Sequence, residues 1–302
     1  VSHTFCADLS REQHDPLAGS AAHADRNLLI SWPRAKWTRN LRHASDMPDN
    51  LVRRLDAIAA EGRRVNLIHR REQPGDIHQV FLMPERRRFV VPRAALEAFL
   101  AAWQSGSPLT EWERGTVDRE LVLCCTHGKK DKCCAKYGYQ TYKQLAEVVA
   151  THALPFEVWE SSHLGGCRFA ASIILLAPVR KYGRITPEQA LPFLQAEARG
   201  CRFLPGYRGD SRLTPAQQCA QLAALTSLEP RYPAARLTLQ EDTGDEHRRR
   251  LLWRWERADA QGRLQVVCET TTIRRVDTCS DLHDGPSDSL VWQATEVTAL
   301  QA

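Results

Sequence analysis

The sequence lacks any apolar run long enough to cross a bilayer. Its longest candidate, residues 170–178, is strand-sized, whereas a spanning helix needs about 20 apolar residues. The opening residues 1–12 hold no apolar stretch like that of a secretion signal, which sets the expectation of a cytoplasmic protein. Charge of one sign is also scarce. Lys and Arg number 41 against 36 Asp and Glu, a net +5, and the arginines are spread along the chain. That balance does not mark a nucleic-acid or membrane-binding protein, while an acidic protein partner fits it equally well. The C-x-x-C pair with which thioredoxin-like folds do thiol–disulfide exchange is missing. The adjacent Cys133 and Cys134 would make a strained bridge, which weighs against that chemistry.

What is present is cysteine. There are ten, at positions 6, 124, 125, 133, 134, 167, 201, 219, 268 and 279. Cytosolic chains rarely keep structural disulfides, so clustered cysteines there point to metal or redox chemistry. Five of the ten fall between residues 124 and 167. Cys6, Cys201, Cys219, Cys268 and Cys279 are scattered and read as small buried apolar side chains.

At 302 residues, 43% hydrophobic and 25% charged, the chain has the composition of a globular protein with two or three cores. Three regions emerge. In 1–115, a polar lead-in precedes a strand at 27–32. A helix at 49–61 follows, with Leu51, Leu55 and Ile58 on one face and Gly62 as its stop. Strands at 64–69, 78–83 and 87–91 are divided by turns at Pro74-Gly75 and Pro84-Glu85, and a helix at 92–103 begins on Pro92. In 116–230, strand 120–125 leads to helix 139–152, then to strands 155–160 and 171–178 and a short strand near Gly183. Helix 187–199 is capped by Thr186 and helix 215–228 by Thr214. Both regions give strand, helix, strand, strand, strand, helix, the element order of a thioredoxin-like α/β unit. Region 231–302 reads as strands alone, at 236–240, 250–256, 264–272 and 288–298. It is expected to form an antiparallel β extension on the second unit, with Trp253 and Trp255 in its core.

Two segments carry the chemistry. Cys124-Cys125-Thr126-His127-Gly128-Lys129-Lys130-Asp131-Lys132-Cys133-Cys134 begins where an apolar strand ends. Ser161-Ser162-His163-Leu164-Gly165-Gly166-Cys167-Arg168-Phe169 follows another strand end. Loops at strand ends of an open sheet can meet in space, bringing three thiolates and an imidazole around a metal. Zinc accepts such a set, and so does an iron–sulfur cluster, in which His can replace Cys. The C-x₈-C spacing lacks the close knuckle of structural zinc sites, which favours the wider cluster only weakly.

The two segments resemble the sucrase/ferredoxin-like family of thioredoxin-like [2Fe–2S] proteins. Its first motif, C-x-H-G-x-[RK]-D-x-x-C, is matched by Cys125, His127, Gly128, Lys130, Asp131 and Cys134. Its second, H-x-G-G-H-[RK]-F-A-x-N, is matched by His163, Gly165, Gly166, Arg168, Phe169 and Ala170, with Ser172 in the last place. The opening FCADLSRE…DPLAGSA…LLISWP is similar to the family's N-terminal signature, so the likeness covers about residues 5–215. It implies that Cys125, Cys134, His163 and Cys167 hold a [2Fe–2S] cluster, as Cys₃His, because Cys167 stands where the family usually has His. The implied role is electron transfer, as a carrier rather than an enzyme, to a redox partner such as a flavoprotein reductase or another electron carrier. Sugar hydrolysis has no recognisable carboxylate pair to support it. A thiol–disulfide oxidoreductase and a structural zinc-binding interaction protein are the rival readings.

Neighbouring residues get plainer expectations. Cys124 points opposite Cys125 on a strand and reads as core. Cys133 reads as a spare thiol, with an alternative-ligand role as the other reading. His127 and Asp131 read as loop-fixing hydrogen bonders. Gly165 and Gly166 are expected to let the backbone turn tightly. Lys129, Lys130, Lys132, Lys136, Arg168, Arg180, Lys181 and Arg184 read either as a solvated face or as a rim that docks an acidic partner.

Overall fold

In the computed structural model, which describes residues 4–300, strand β1 (Asn27–Ser31) is buried at every position. A central strand covered on both faces requires such a continuous run. Helix α2 (Asp49–Ala60) buries Leu51, Leu55 and Ile58, one face at helical spacing. It returns the chain to β2 (Arg64–His69), parallel to β1. Strand β3 (Ile77–Met83) lies antiparallel on the other side of β1, β4 (Arg87–Pro92) forms a hairpin with β3, and α3 (Leu96–Gln104) closes the unit.

The second half repeats this plan. Strand β6 (Glu120–Cys125) leads through α4 (Tyr139–Thr151) to the parallel β7 (Phe156–Ser161). Strand β8 (Ile173–Leu175) lies antiparallel to β6, β9 (Arg180–Tyr182) pairs with β8, and α5 (Ala190–Ala198) follows. The halves have matching strand orders, β4-β3-β1-β2 and β9-β8-β6-β7. They join edge to edge where β2 meets β7 at Ile68–Ser161 and His69–Glu160. With β5 (Glu113–Thr116) and β10 (Tyr207–Asp210) on the outer edges, the result is one ten-stranded mixed sheet.

Each half has a core of its own, and a third core is shared. The shared core draws Leu29, Ile68 and Phe81 from the first half and Leu121, Leu123 and Trp159 from the second. Cys125, Cys134 and Cys167 lie in it.

The C-terminal part is a four-stranded antiparallel sheet, β11 (Arg236–Gly244), β12 (Arg248–Arg257), β13 (Ala260–Arg275) and β14 (Ser287–Leu300). Helix α6 (Pro215–Leu228) packs on it. Cys219, Ala220, Ala224 and Leu228 meet Leu251, Trp253, Trp255 and Cys268 in one buried cluster, so the two tryptophans are core, as expected. Thr214 caps α6 in a reciprocal pair with Gln217.

The structure departs from expectation in local ways. The expected strand 171–178 is only three residues long, since the chain turns before β9. The helix expected from 92 starts at Leu96 after a 3₁₀ turn. The polar lead-in contains a helix, α1 (Cys6–Glu12), which buries Cys6, Ala7 and Ser10 on one face.

Candidate metal centre

Strand alternation settles the first pair of cysteines. Cys124 turns into the core of the second half and donates to the Gly138 carbonyl (3.3 Å), while Cys125 turns into the shared core. The loop after β6 closes at Cys134, the first residue of a π-helical turn, Cys134–Gly138, that runs into α4. Gly138 is where that turn meets the strand end. A Cβ there would lie 2.0 Å from the Cys125 carbonyl oxygen, so only glycine permits this approach.

The second loop leaves the same end of the sheet, because β7 runs parallel to β6. Gly165 and Gly166 take φ of +88° and +77°, the left-handed region, and bring the chain into a 3₁₀ turn that starts on Cys167.

The four expected ligands come together. Side-chain contacts run from Cys125 to Cys134 and to His163, and from Cys134 to Cys167. Cys167 Sγ lies 3.5 Å from His163 Nδ1, which closes the circuit. Contact with Cys134, then with His163, pulls the Cys125 thiol well below its ordinary value against the opposing effect of burial. The same two neighbours lower Cys167. Cys134, in contact with both thiolates and buried, is pushed well up. Burial disfavours the charged form of His163, but the thiolates of Cys125 and Cys167 outweigh it and raise the ring to about 9. Cys134 and His163 are thus the donors that hold protons most firmly, and a bound metal displaces such protons.

His127 is excluded as a ligand by its hydrogen bonds. Its Nδ1 accepts from the His163 amide (3.1 Å) and its Nε2 donates to the Thr38 carbonyl (2.6 Å), so both ring nitrogens are used. Asp131 also fixes the loop, its two oxygens accepting from the amides of Cys133 and Cys279, at 2.8 Å each.

Sequence reasoning missed the support beneath the second loop. Three successive carbonyls each accept from a basic side chain, half-buried Arg64 or buried Lys181 and Arg208: His163 from Arg64 (2.6 Å), Leu164 from Lys181 (2.6 Å) and Gly165 from Arg208 (3.1 Å). Burial pushes Arg64 down to about 10 and Arg208 to about 9, and holds Lys181 well below its usual range. The Arg64 guanidinium faces the Cys125 thiolate and the Arg208 guanidinium that of Cys167, and each offsets negative charge there. No local spacing announces them, since Arg64 lies on β2, Lys181 on β9 and Arg208 on β10.

The basic rim is correspondingly smaller than expected. Lys181 is buried, Arg168 is buried against Asp15 and Asp277, Arg180 pairs with Glu197, and Arg184 bonds to Ser10 and Asp15. Lys129 and Lys132 remain exposed on the first loop and Lys136 on the turn after it, with Lys130 half-buried.

A second group also forms. Cys6, Asp131, Cys133 and Cys279 place one ligand atom each within 4.8 Å of one another, in a geometry able to hold a metal ion. The plainer readings of Cys6 and Cys279 as isolated apolar side chains, and of Cys133 as a spare thiol, do not describe this arrangement. The sequence separations, 127 between Cys6 and Cys133 and 146 between Cys133 and Cys279, left no motif to read.

Comparison with known proteins agrees with the sequence likeness. The profile of the sucrase/ferredoxin-like family matches residues 17–209, well over half of the chain. "Altered inheritance of mitochondria protein 32" of Clavispora lusitaniae is 32% identical over 76 residues, covering 24% of this chain and 28% of the relative. The protein of that name in Debaryomyces hansenii is 25% identical over 112 residues, covering 33% and 41%. The matched part thus spans less than half the length of these relatives. Among solved structures, a thioredoxin-like [2Fe–2S] ferredoxin from Aquifex aeolicus aligns at 13% identity and a TM-score of 0.25, covering 28% of this chain and 83% of that one.

Proposed function

Since the chain belongs to the sucrase/ferredoxin-like family, we propose that it holds a [2Fe–2S] cluster on Cys125, Cys134, His163 and Cys167 and passes single electrons between partner proteins. The observation that carries this reading is the closed circuit of four donors, from which His127 is kept out by its own hydrogen bonds. The donor set fits the group: three thiols and one imidazole, delivered in pairs by two loops. When bound, such a cluster supplies a one-electron redox couple.

The chain's own residues would do the rest. Arg64, Lys181 and Arg208 hold the carbonyls of the second loop, and the two guanidiniums temper the negative charge of the thiolates. Leu164, Trp159 and Ile68 bury the centre in the shared core and limit water. Lys129 and Lys132 on the first loop and Lys136 on the turn after it are exposed positive charges, suited to steering an acidic reductase or carrier. None of the ten cysteines is in a disulfide, which suits a reducing compartment such as the cytoplasm. Among the described residues no helix is long and apolar enough to cross a membrane.

The test is an ultraviolet–visible spectrum of anaerobically purified protein with iron and sulfide assays. About two irons and two acid-labile sulfides per chain, with a red-brown colour, are expected. Colourless protein whose Cys125, Cys134 and Cys167 bind stoichiometric zinc, with no sulfide, would overturn the reading in favour of a structural zinc site. Colourless, metal-free protein that exchanges disulfides would favour the oxidoreductase.

A further inference from the structure

We propose that Cys6, Cys133, Cys279 and Asp131 form a second, separate metal site that takes a single zinc ion. The three sulfurs form a compact triangle: Cys6–Cys133 3.5 Å, Cys133–Cys279 3.3 Å and Cys279–Cys6 3.6 Å. With zinc–sulfur bonds of about 2.3 Å, a tetrahedron has sulfur–sulfur edges of about 3.8 Å. The thiols need to part by only a few tenths of an ångström to surround one ion. A two-iron cluster, by contrast, needs its ligands divided between two metals.

Asp131 completes the set. Its oxygens lie 4.0 and 3.9 Å from Cys6 Sγ, and the amides of Cys133 and Cys279 fix the carboxylate from behind. A metal ligand is often oriented by just such outer hydrogen bonds. The Ala7 amide donates to Cys133 Sγ at 3.4 Å, an outer hydrogen bond of the kind that orients a metal-bound sulfur. Three soft sulfurs and one carboxylate oxygen select zinc over hard magnesium or calcium, and the oxygen disfavours copper(I). Binding Zn²⁺ releases the three thiol protons, while Asp131 enters as carboxylate.

The site is closed, since Cys6, Asp131 and Cys133 are buried and Cys279 is half-buried, as expected of a structural zinc rather than a catalytic one. It fastens three distant pieces: helix α1, the first ligand loop, and the segment between β13 and β14 that carries Cys279. Adjacent residues thereby serve different centres, with Cys133 facing the zinc and Cys134 the circuit with Cys125 and Cys167.

The experiment is metal analysis of the full chain, made with iron and zinc both in supply and purified without oxygen. One zinc per chain is expected in the wild type. Cys6→Ser and Cys279→Ser should each lose that zinc while keeping the metal and spectrum of the first centre, and Cys201→Ser should lose neither. Cys125→Ser should keep the zinc that depends on Cys6, whatever the first centre holds, so failure of the cluster reading and failure of this one are distinguishable. If the serine variants do not fold, Co²⁺ is titrated into metal-free Cys125→Ser/Cys167→Ser protein. One equivalent giving thiolate charge-transfer and tetrahedral ligand-field bands supports the site, and absence of those bands overturns it. Wild-type protein without zinc, zinc unaffected by both Cys6→Ser and Cys279→Ser, or a disulfide between any two of the three cysteines would also overturn it.

Discussion

The two halves of the sheet have one strand order and different chemistry. Where β6 ends the chain has Cys125, and where β1 ends it has Ser31 and Trp32. One histidine from each half shows the difference. His78 of β3 stacks on Trp32 with ring centroids 4.4 Å apart and bonds to the Ser31 carbonyl. Burial pushes it down to about 4. His163 is half-buried against thiolates and stands at about 9. The fold sets where a histidine is placed, and the neighbours decide whether its ring is held neutral or keeps its proton. The first half nonetheless serves the second, through Thr38 on His127 and Arg64 on the His163 carbonyl.

The sharpest way to break this contrast is to remove a ligand. Cys134→Ala should abolish iron binding, whereas Cys124→Ala should keep the iron and cost about 1–2 kcal/mol of packing, within the common range for a core truncation. Iron assay and denaturant titration check both, and bleaching by Cys124→Ala with retention in Cys134→Ala would shift the ligand register by one residue.

A cavity in the first half comes next. Phe99 is fully buried among Phe89 and Trp112, so Phe99→Ala should destabilise by about 3–5 kcal/mol. Because the halves share a core and a sheet, tryptophan fluorescence and cluster absorbance should lose their signals in one transition. Two separate transitions would show that the halves unfold independently.

The packed histidine gives a smaller, pH-dependent effect. An unfolded chain takes up the His78 proton near its ordinary value of 6.5, but the folded protein only near about 4. Stability should therefore fall as pH drops from about 6.5 to about 4 and level off below, by about 3 kcal/mol from this residue. In His78→Gln that part of the slope, followed by denaturant midpoints, should vanish.

The smallest effect is on the electron itself. Reduction adds negative charge and should raise the pKa of an iron-bound imidazole. The wild-type potential should then fall with pH at up to about 59 mV per unit, about 1.4 kcal/mol for one electron. His163→Cys should lower the potential and flatten that slope, as voltammetry would show. A variant matching wild type in potential, spectrum and pH response would remove His163 from the ligand set.

Much of this was legible because it is local. The apolar runs of β1, β6 and β7, the Leu51–Leu55–Ile58 face of α2 and the Thr214 cap follow from side-chain period and capping chemistry within a few residues. The meeting of Cys125, Cys134, His163 and Cys167 was legible because the spacing of their two loops matches a known pattern. The rest depends on tertiary packing. Arg64, Lys181 and Arg208 gather under one loop from three strands, Gly138 is needed only because Cys125 approaches it, and Cys6 and Cys279 meet Cys133 across more than a hundred residues. Lys181 shows the hazard: a lysine beside Arg180 reads as solvated, yet it is 1% exposed.

The seam between β2 and β7 bears on how the chain can be divided. A cut in the connection between β5 and β6, residues 117–119, would leave each fragment with a bare inner strand, β2 on one and β7 on the other. Each strand would present unpaired amides and carbonyls beside an apolar face. Such fragments are complementary halves of a split protein, prone to cling to one another or to aggregate alone.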